Sequence, residues 1–132
     1  MKNQFGVRDA HSMFSQIFKD CGQIGLNLVL VRKDSGQFFV LDIQDRELLR
    51  DARSLKKLMD SLSGVEYQKI ILVAECWAHT PDGKSSVAMF VEYQQTGIKC
   101  WMSPASGKAL GKLEPMETST GFADSYFMRL VA

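Results

Sequence analysis

The chain lacks an excess of either charge. Its 132 residues carry 16 basic and 15 acidic side chains, for a net charge of +1. A dedicated nucleic-acid binder or a membrane-surface protein normally shows a basic excess, so this balance argues against both classes. Cysteine is scarce too: Cys21, Cys76 and Cys100 are odd in number and widely spaced. That is not a secreted disulfide framework, and reduced thiols shielded by apolar neighbours are the expectation for all three. No apolar run approaches the ~20 residues of a membrane span, and the first residues carry no apolar signal core. A cytoplasmic location without membrane contact is the resulting expectation. There are three prolines and two histidines. No proline-rich, repetitive or low-complexity tract divides the chain, so residues 1–132 read as one domain. A chain of this length buries about two-thirds of its unfolded surface and needs no disulfide or metal to fold. Hydrophobic residues at 45% and charged residues at 23% complete an ordinary globular composition.

What is present is a clear run of periodic segments. Ala10, Met13, Phe14, Ile17, Phe18 and Cys21 recur at helical spacing and predict a helix over 8–21, with Asp9 at its start and Gly22 as its stop. Residues 25–33 and 37–43 read as a hairpin around Asp34-Ser35-Gly36. Both runs are apolar on both faces, which predicts strands in the middle of a sheet with cover on each side. A second helix is expected over 46–62, capped by Asp45, ended by Gly64, and packed through Leu48, Leu49, Ala52, Leu55, Leu58, Met59 and Leu62. Three strands follow, over 68–79, 86–95 and 98–102, turning at Thr80-Pro81-Asp82-Gly83 and at Thr96-Gly97. Beyond Ser103, Pro104, Gly107, Gly111 and Pro115 punctuate what reads as loop. Residues 122–132 are apolar and suit either a strand or a short helix.

The stretch 69–102 is the most informative. Side chains alternate across a strand, so Ile70, Leu72, Ala74, Cys76 and Ala78 share one face while Ile71, Val73, Glu75, Trp77 and His79 share the other. The turns as read place Trp77 near Ala88, Glu75 near Phe90 and Glu92 near Trp101. Met89, Val91, Tyr93, Cys100 and Met102 then join the first face as core. The second face has two readings. A helix covers it, leaving Glu75, Glu92 and His79 at the rim, which is the more ordinary fate of aromatic residues. Alternatively Trp77, Phe90 and Trp101 form an exposed platform flanked by acids, as the centre of a protein interface does.

Arg46, Arg50, Arg53 and Lys57 fall in one narrow sector of the second helix, opposite its leucine stripe. Such a ridge is usually a solvated face. Its functional counterpart is contact with an acidic protein or with phosphates.

Residues 78–85 fit the loosest phosphate-loop pattern, with Lys84-Ser85 at its end. That chemistry requires a helix to begin at the Lys-Ser step, whereas the following residues read as a strand, so no nucleotide site is assigned. Cys76 and His79 have zinc-ligand spacing, but a regular strand points them apart and no second pair exists. His11 reads as a surface residue. No cofactor and no metal are called for.

The element order is helix, two strands, helix, three strands and a C-terminal element of unassigned type. It specifies an α+β domain with a mainly antiparallel five-stranded sheet. This order is similar to small Roadblock or profilin-like modules, a resemblance that implies a dimerisation or docking platform. The expected function is a non-enzymatic interaction module, such as an adaptor, regulator or inhibitor. It would bind a protein partner or a second copy of itself through the aromatic face, the basic ridge or both. A nucleic-acid-associated protein using the ridge is one alternative. A small enzyme using Glu75, His79 and Glu92 as acid–base groups is the other.

Overall fold

A computed structural model describes residues 5–44, 51–62, 64–107, 109–117 and 122–131, with the side chains of 79, 80 and 122–125 outside the description. The chain is an α+β fold, with three helices and one antiparallel sheet among the described residues. The elements are α1 (Val7–Cys21), β1 (Leu26–Arg32), β2 (Phe38–Asp42), α2 (Ala52–Leu62), β3 (Tyr67–Thr80), β4 (Gly83–Gln94), β5 (Gly97–Ser106), β6 (Ala109–Leu110), β7 (Glu114–Met116) and α3 (Phe122–Val131). The sheet runs β2-β1-β3-β4-β5, and β6 and β7 both pair with the outer side of β5.

Five strands were expected, and the described residues form seven. The two extra strands return along β5 as one interrupted segment, in the stretch read as loop. Pro104 concealed the length of β5. Its missing N–H does not harm the ladder to β4, because Gln94 and Gly97 close a two-residue turn and Pro104 then falls opposite Val87 at a position that makes no bond to β4. The Pro104 carbonyl turns the other way and accepts the Gly111 N–H at 2.7 Å.

Alternation along the strands divides the interior into two cores. On one side Val29, Ile71, Val73, Ala88 and Phe90 pack under Ala10, Phe14 and Phe18 of α1. On the other side Leu28, Leu30, Ile70, Leu72, Val91, Tyr93 and Cys100 pack under Leu55 and Leu62 of α2 and Phe127 and Val131 of α3. The spacing of Ala10, Phe14 and Phe18 places them on one stripe, and each Phe contributes about 2–3 kcal/mol of burial. α1 starts where the Gly6 N–H donates to Asp9 Oδ2 at 2.9 Å, and stops at Gly22 with φ 78°. The C-terminal element is a helix, and it lies beside α2. Its Phe127 ring meets Tyr93 at 5.3 Å between centroids.

The second helix begins at Ala52 rather than at Arg46. Asp51 caps it by accepting the Arg53 N–H at 3.1 Å and the Ser54 hydroxyl at 3.0 Å. These two donors, the Ser54 hydroxyl foremost, hold the Asp51 carboxyl below its usual value. Asp45, Arg46, Leu48, Leu49 and Arg50 lie outside the described residues.

β1 meets the expectation of a central strand, with Leu28, Val29, Leu30 and Val31 fully buried. β2 does not. It is the outermost strand, and Phe38, Phe39 and Val40 are each more than two-fifths exposed. Its apolar pattern is that of a covered strand, but its second neighbour is missing among the described residues.

Candidate functional site

The β3–β4 hairpin is longer than the sheet that holds it. β1 pairs with β3 only as far as Ala74, and β5 pairs with β4 only from Val87. Residues 76–80 and 83–86 therefore form a two-stranded arm to which, among the described residues, no further strand pairs on either side. Its turn is a two-residue loop at Pro81-Asp82, because Thr80 pairs with Gly83. The expected pairing across the hairpin is corrected accordingly. Trp77 lies opposite Ser86, Glu75 opposite Ala88, and Phe90 opposite Val73. Phe90, rather than Glu92, is the residue opposite Trp101. The slip is by two residues, so every side chain stays on its expected face.

The aromatic face divides at the root of the arm. Phe90 is fully buried beneath α1, with the His11 ring edge-on at 5.7 Å. Trp101 is half-buried beside it, between Phe90 on β4 and Pro115 on β7. Glu92 is buried, ion-paired to Lys69 Nζ at 3.5 Å and hydrogen-bonded by the Gln94 amide. These three residues are covered or paired within the fold. Trp77 is different. It stands on the arm with 66% of its surface exposed.

Glu75 sits where the arm joins the sheet. Its Oε1 accepts the Ile24 N–H at 2.9 Å, fixing the loop between α1 and β1. The two acids of the enzyme reading, Glu75 and Glu92, are not neighbours. Glu75 faces Ala88, and Glu92 lies four positions further along β4, about 13 Å away. His79 pairs with Lys84 through the backbone of the arm, and its side chain lies outside the description. The Lys84-Ser85 step is strand, so no helix N-terminus is present to hold a phosphate there.

Of the basic ridge, Arg53 and Lys57 are exposed on α2. Arg46 and Arg50 lie outside the described residues. Among the cysteines Cys100 is buried, Cys76 is half-buried and Cys21 is exposed, so the expectation of shielded thiols fails for Cys21. It sits in the last turn of α1, next to Gly22, where the apolar stripe runs out. Among the described residues no cluster of three His, Cys, Asp or Glu side chains could hold a metal ion, and no helix is long and apolar enough to cross a membrane.

Two features escaped the sequence reading. His11 is half-buried, and its Nε2 lies 3.0 Å from the Gly111 carbonyl and 3.1 Å from Ser103 Oγ. A carbonyl only accepts, so Nε2 carries the ring proton. Ser103 is itself fully buried and donates to the same carbonyl at 2.6 Å. The group pins α1 to β5 and to the residue that follows β6. The position of His11, three residues before Phe14 on the apolar stripe, was the available signal. The second feature is the β2 edge, where Phe5 stacks on Phe38 at 4.0 Å. An open groove of about 570 Å³ runs along it past Arg32, Gln37, Phe38 and Phe39. The hollow at the other end of β2, between Ile24 and Gln44, holds only about 230 Å³, small for a drug-sized ligand.

No protein-family model, curated protein or solved structure matches this chain.

Proposed function

We propose that this protein is a non-enzymatic interaction module that docks a protein partner through the arm bearing Trp77. The observation that carries this reading is the exposure of Trp77 on a ribbon that reaches past both neighbouring strands. Tryptophan is the residue most enriched among interface anchors, because it brings a large apolar area with few rotatable bonds. A two-stranded ribbon is marginally stable alone, so contact with a partner would also steady the arm. The acid–base alternative has lost its juxtaposition, since Glu75 and Glu92 are apart and each already serves a neighbour. The nucleic-acid alternative has two described cations, Arg53 and Lys57, on a chain of net charge +1. That is little for counterion release.

The test is an affinity pull-down from the native host with the full chain, comparing wild type with Trp77→Ala. The substitution is expected to weaken capture by about thirty-fold, the equivalent of ~2 kcal/mol, with the thermal melt unchanged. Equal capture by the two proteins would refute the arm as the docking element.

A further inference from the structure

The β2 edge is a separate surface, two strands away from the β3–β4 arm in the sheet order. Its backbone orientation is fixed at both ends. The Arg32 N–H donates to the Gln37 carbonyl at 2.8 Å, and the Ile43 N–H donates to the Leu26 carbonyl at 2.9 Å. The register between them is unbroken, so Phe39 and Leu41 also turn their backbone toward β1. Phe38, Val40 and Asp42 therefore present their N–H and C=O groups outward. The side chains alternate by face. Leu41 packs with the α2 and α3 core and Phe39 meets Tyr67 at 6.3 Å, while Phe38 and Val40 lie on the α1 side.

Edge strands are normally blunted by proline, lysine, a bulge or short length. The opposite side of the sheet shows these devices. β6 and β7 are two and three residues long, are separated by an irregular step, and carry Pro115 beside Glu114 and Glu117. β2 shows none of them and exposes Phe38, Phe39 and Val40. The asymmetry also limits what the edge can join. A head-to-tail contact would set β2 against the broken β6–β7 edge and would propagate into a fibre. Pairing of like with like closes after two copies.

We infer that β2 pairs antiparallel with β2 of a second copy of this chain, with the two-fold axis passing through Val40. In this register each Val40 exchanges both backbone bonds with the second copy's Val40, and Phe38 exchanges its bonds with the second copy's Asp42. On the α2 side Phe39 stands opposite the second copy's Leu41, so the apolar row continues across the seam. On the α1 side the two Val40 side chains meet on the axis.

The charges fit the same arrangement. The end of β1 and the turn before β2 carry Arg32, Lys33 and Asp34, a net positive charge, with Arg32 bridging to Asp34 at 2.8 Å. Asp42 marks the other end of the strand. Antiparallel pairing sets the basic turn of one copy beside the Asp42 end of the other. It also holds the two Asp42 carboxylates about 13 Å apart, beyond the screening length at physiological salt. A five-residue seam is small beside a standard interface of about 1,600 Å², so the dimer is of micromolar strength and dissociates on dilution. Two copies joined at β2 carry two Trp77 arms, which raises avidity for any partner with repeated sites.

The test uses sedimentation velocity across the micromolar range and disulfide trapping. Wild type is expected to pass from monomer to dimer with concentration. Val40→Lys places two like charges on the axis and is expected to weaken dimerisation more than about a hundredfold. Val40→Cys in a Cys21→Ser background reads the register independently, should Val40→Lys perturb the fold. It is expected to form a covalent dimer with itself under mild oxidation, whereas Phe38→Cys is expected to link to Asp42→Cys and not to itself. A wild type that stays monomeric at every concentration overturns the inference, as does a dimer in which Phe38→Cys links to itself and Val40→Cys does not. Neither result bears on Trp77, whose test is the separate capture experiment.

Discussion

The root and the tip of the β3–β4 hairpin carry the same kind of side chain and meet opposite fates. At the root, Phe90 is sealed beneath α1 and Trp101 is half-covered beside it. At the tip, Trp77 is 66% exposed. All three lie on one face of one sheet. The difference is in the neighbours: β1 stops at the residue paired with Ala74, and β5 starts its pairing at Val87. Chemistry alone does not make an aromatic residue core or surface. The extent of the flanking strands decides it.

The comparison is broken most severely at the root. Phe90→Ala is expected to cost about 3–5 kcal/mol in urea melts, through lost burial and the cavity left under Phe14. Next comes the buried ion pair. Lys69→Met strands Glu92 in a water-poor setting, with only the Gln94 amide left among its observed partners, and is expected to cost about 3 kcal/mol. A cost under ~1 kcal/mol would mean that Glu92 reaches water. His11→Ala should cost about 1–2 kcal/mol, since it removes a donor to Gly111 and loosens α1 from β5.

A pH series probes the opposite face. Burial raises the Tyr67 hydroxyl above its ordinary value of 10.0, and the hydroxyl donates to the Leu62 carbonyl. A raised pKa means that the folded state holds this proton more tightly than the unfolded chain does. That contribution is complete below pH 10 and is lost as pH rises through the folded value. Stability should therefore fall in strong alkali, and the fall should be reduced in Tyr67→Phe. The smallest effects belong to the exposed positions. Trp77→Ala and Arg53→Ala should each change stability by under about 0.5 kcal/mol.

Local pattern made much of this fold legible. The periodicity of Ala10, Phe14 and Phe18 located α1, and the alternation from Ile70 to Trp77 sorted the two cores correctly even though the hairpin register slipped. An error of two residues preserves faces, so the casualties were the turns at Pro81-Asp82 and Gln95-Thr96 and the pairs across them. Strand order was not legible. Phe38-Phe39-Val40-Leu41 reads alike in the middle of a sheet and at an open edge, because periodicity reports faces and not neighbours. β6 and β7 were hidden because Pro104, Gly107, Gly111 and Pro115 are loop formers in any local reading, and it is pairing with β5, distant from local pattern, that holds them extended. Of the proposed contact residues, Trp77 kept its exposure. Phe90 and Glu92 were drawn into the interior by α1 and Lys69, two partners distant in sequence.

The contrast between root and tip is tested most directly by acrylamide quenching of each tryptophan alone, using Trp101→Phe to isolate Trp77 and Trp77→Phe to isolate Trp101. Trp77 is expected to show red-shifted emission and nearly free quencher access, and Trp101 blue-shifted and partly shielded emission. Equal shielding of the two, or a Trp77 less accessible than Trp101 in the dilute protein, would contradict an arm that stands clear of the fold.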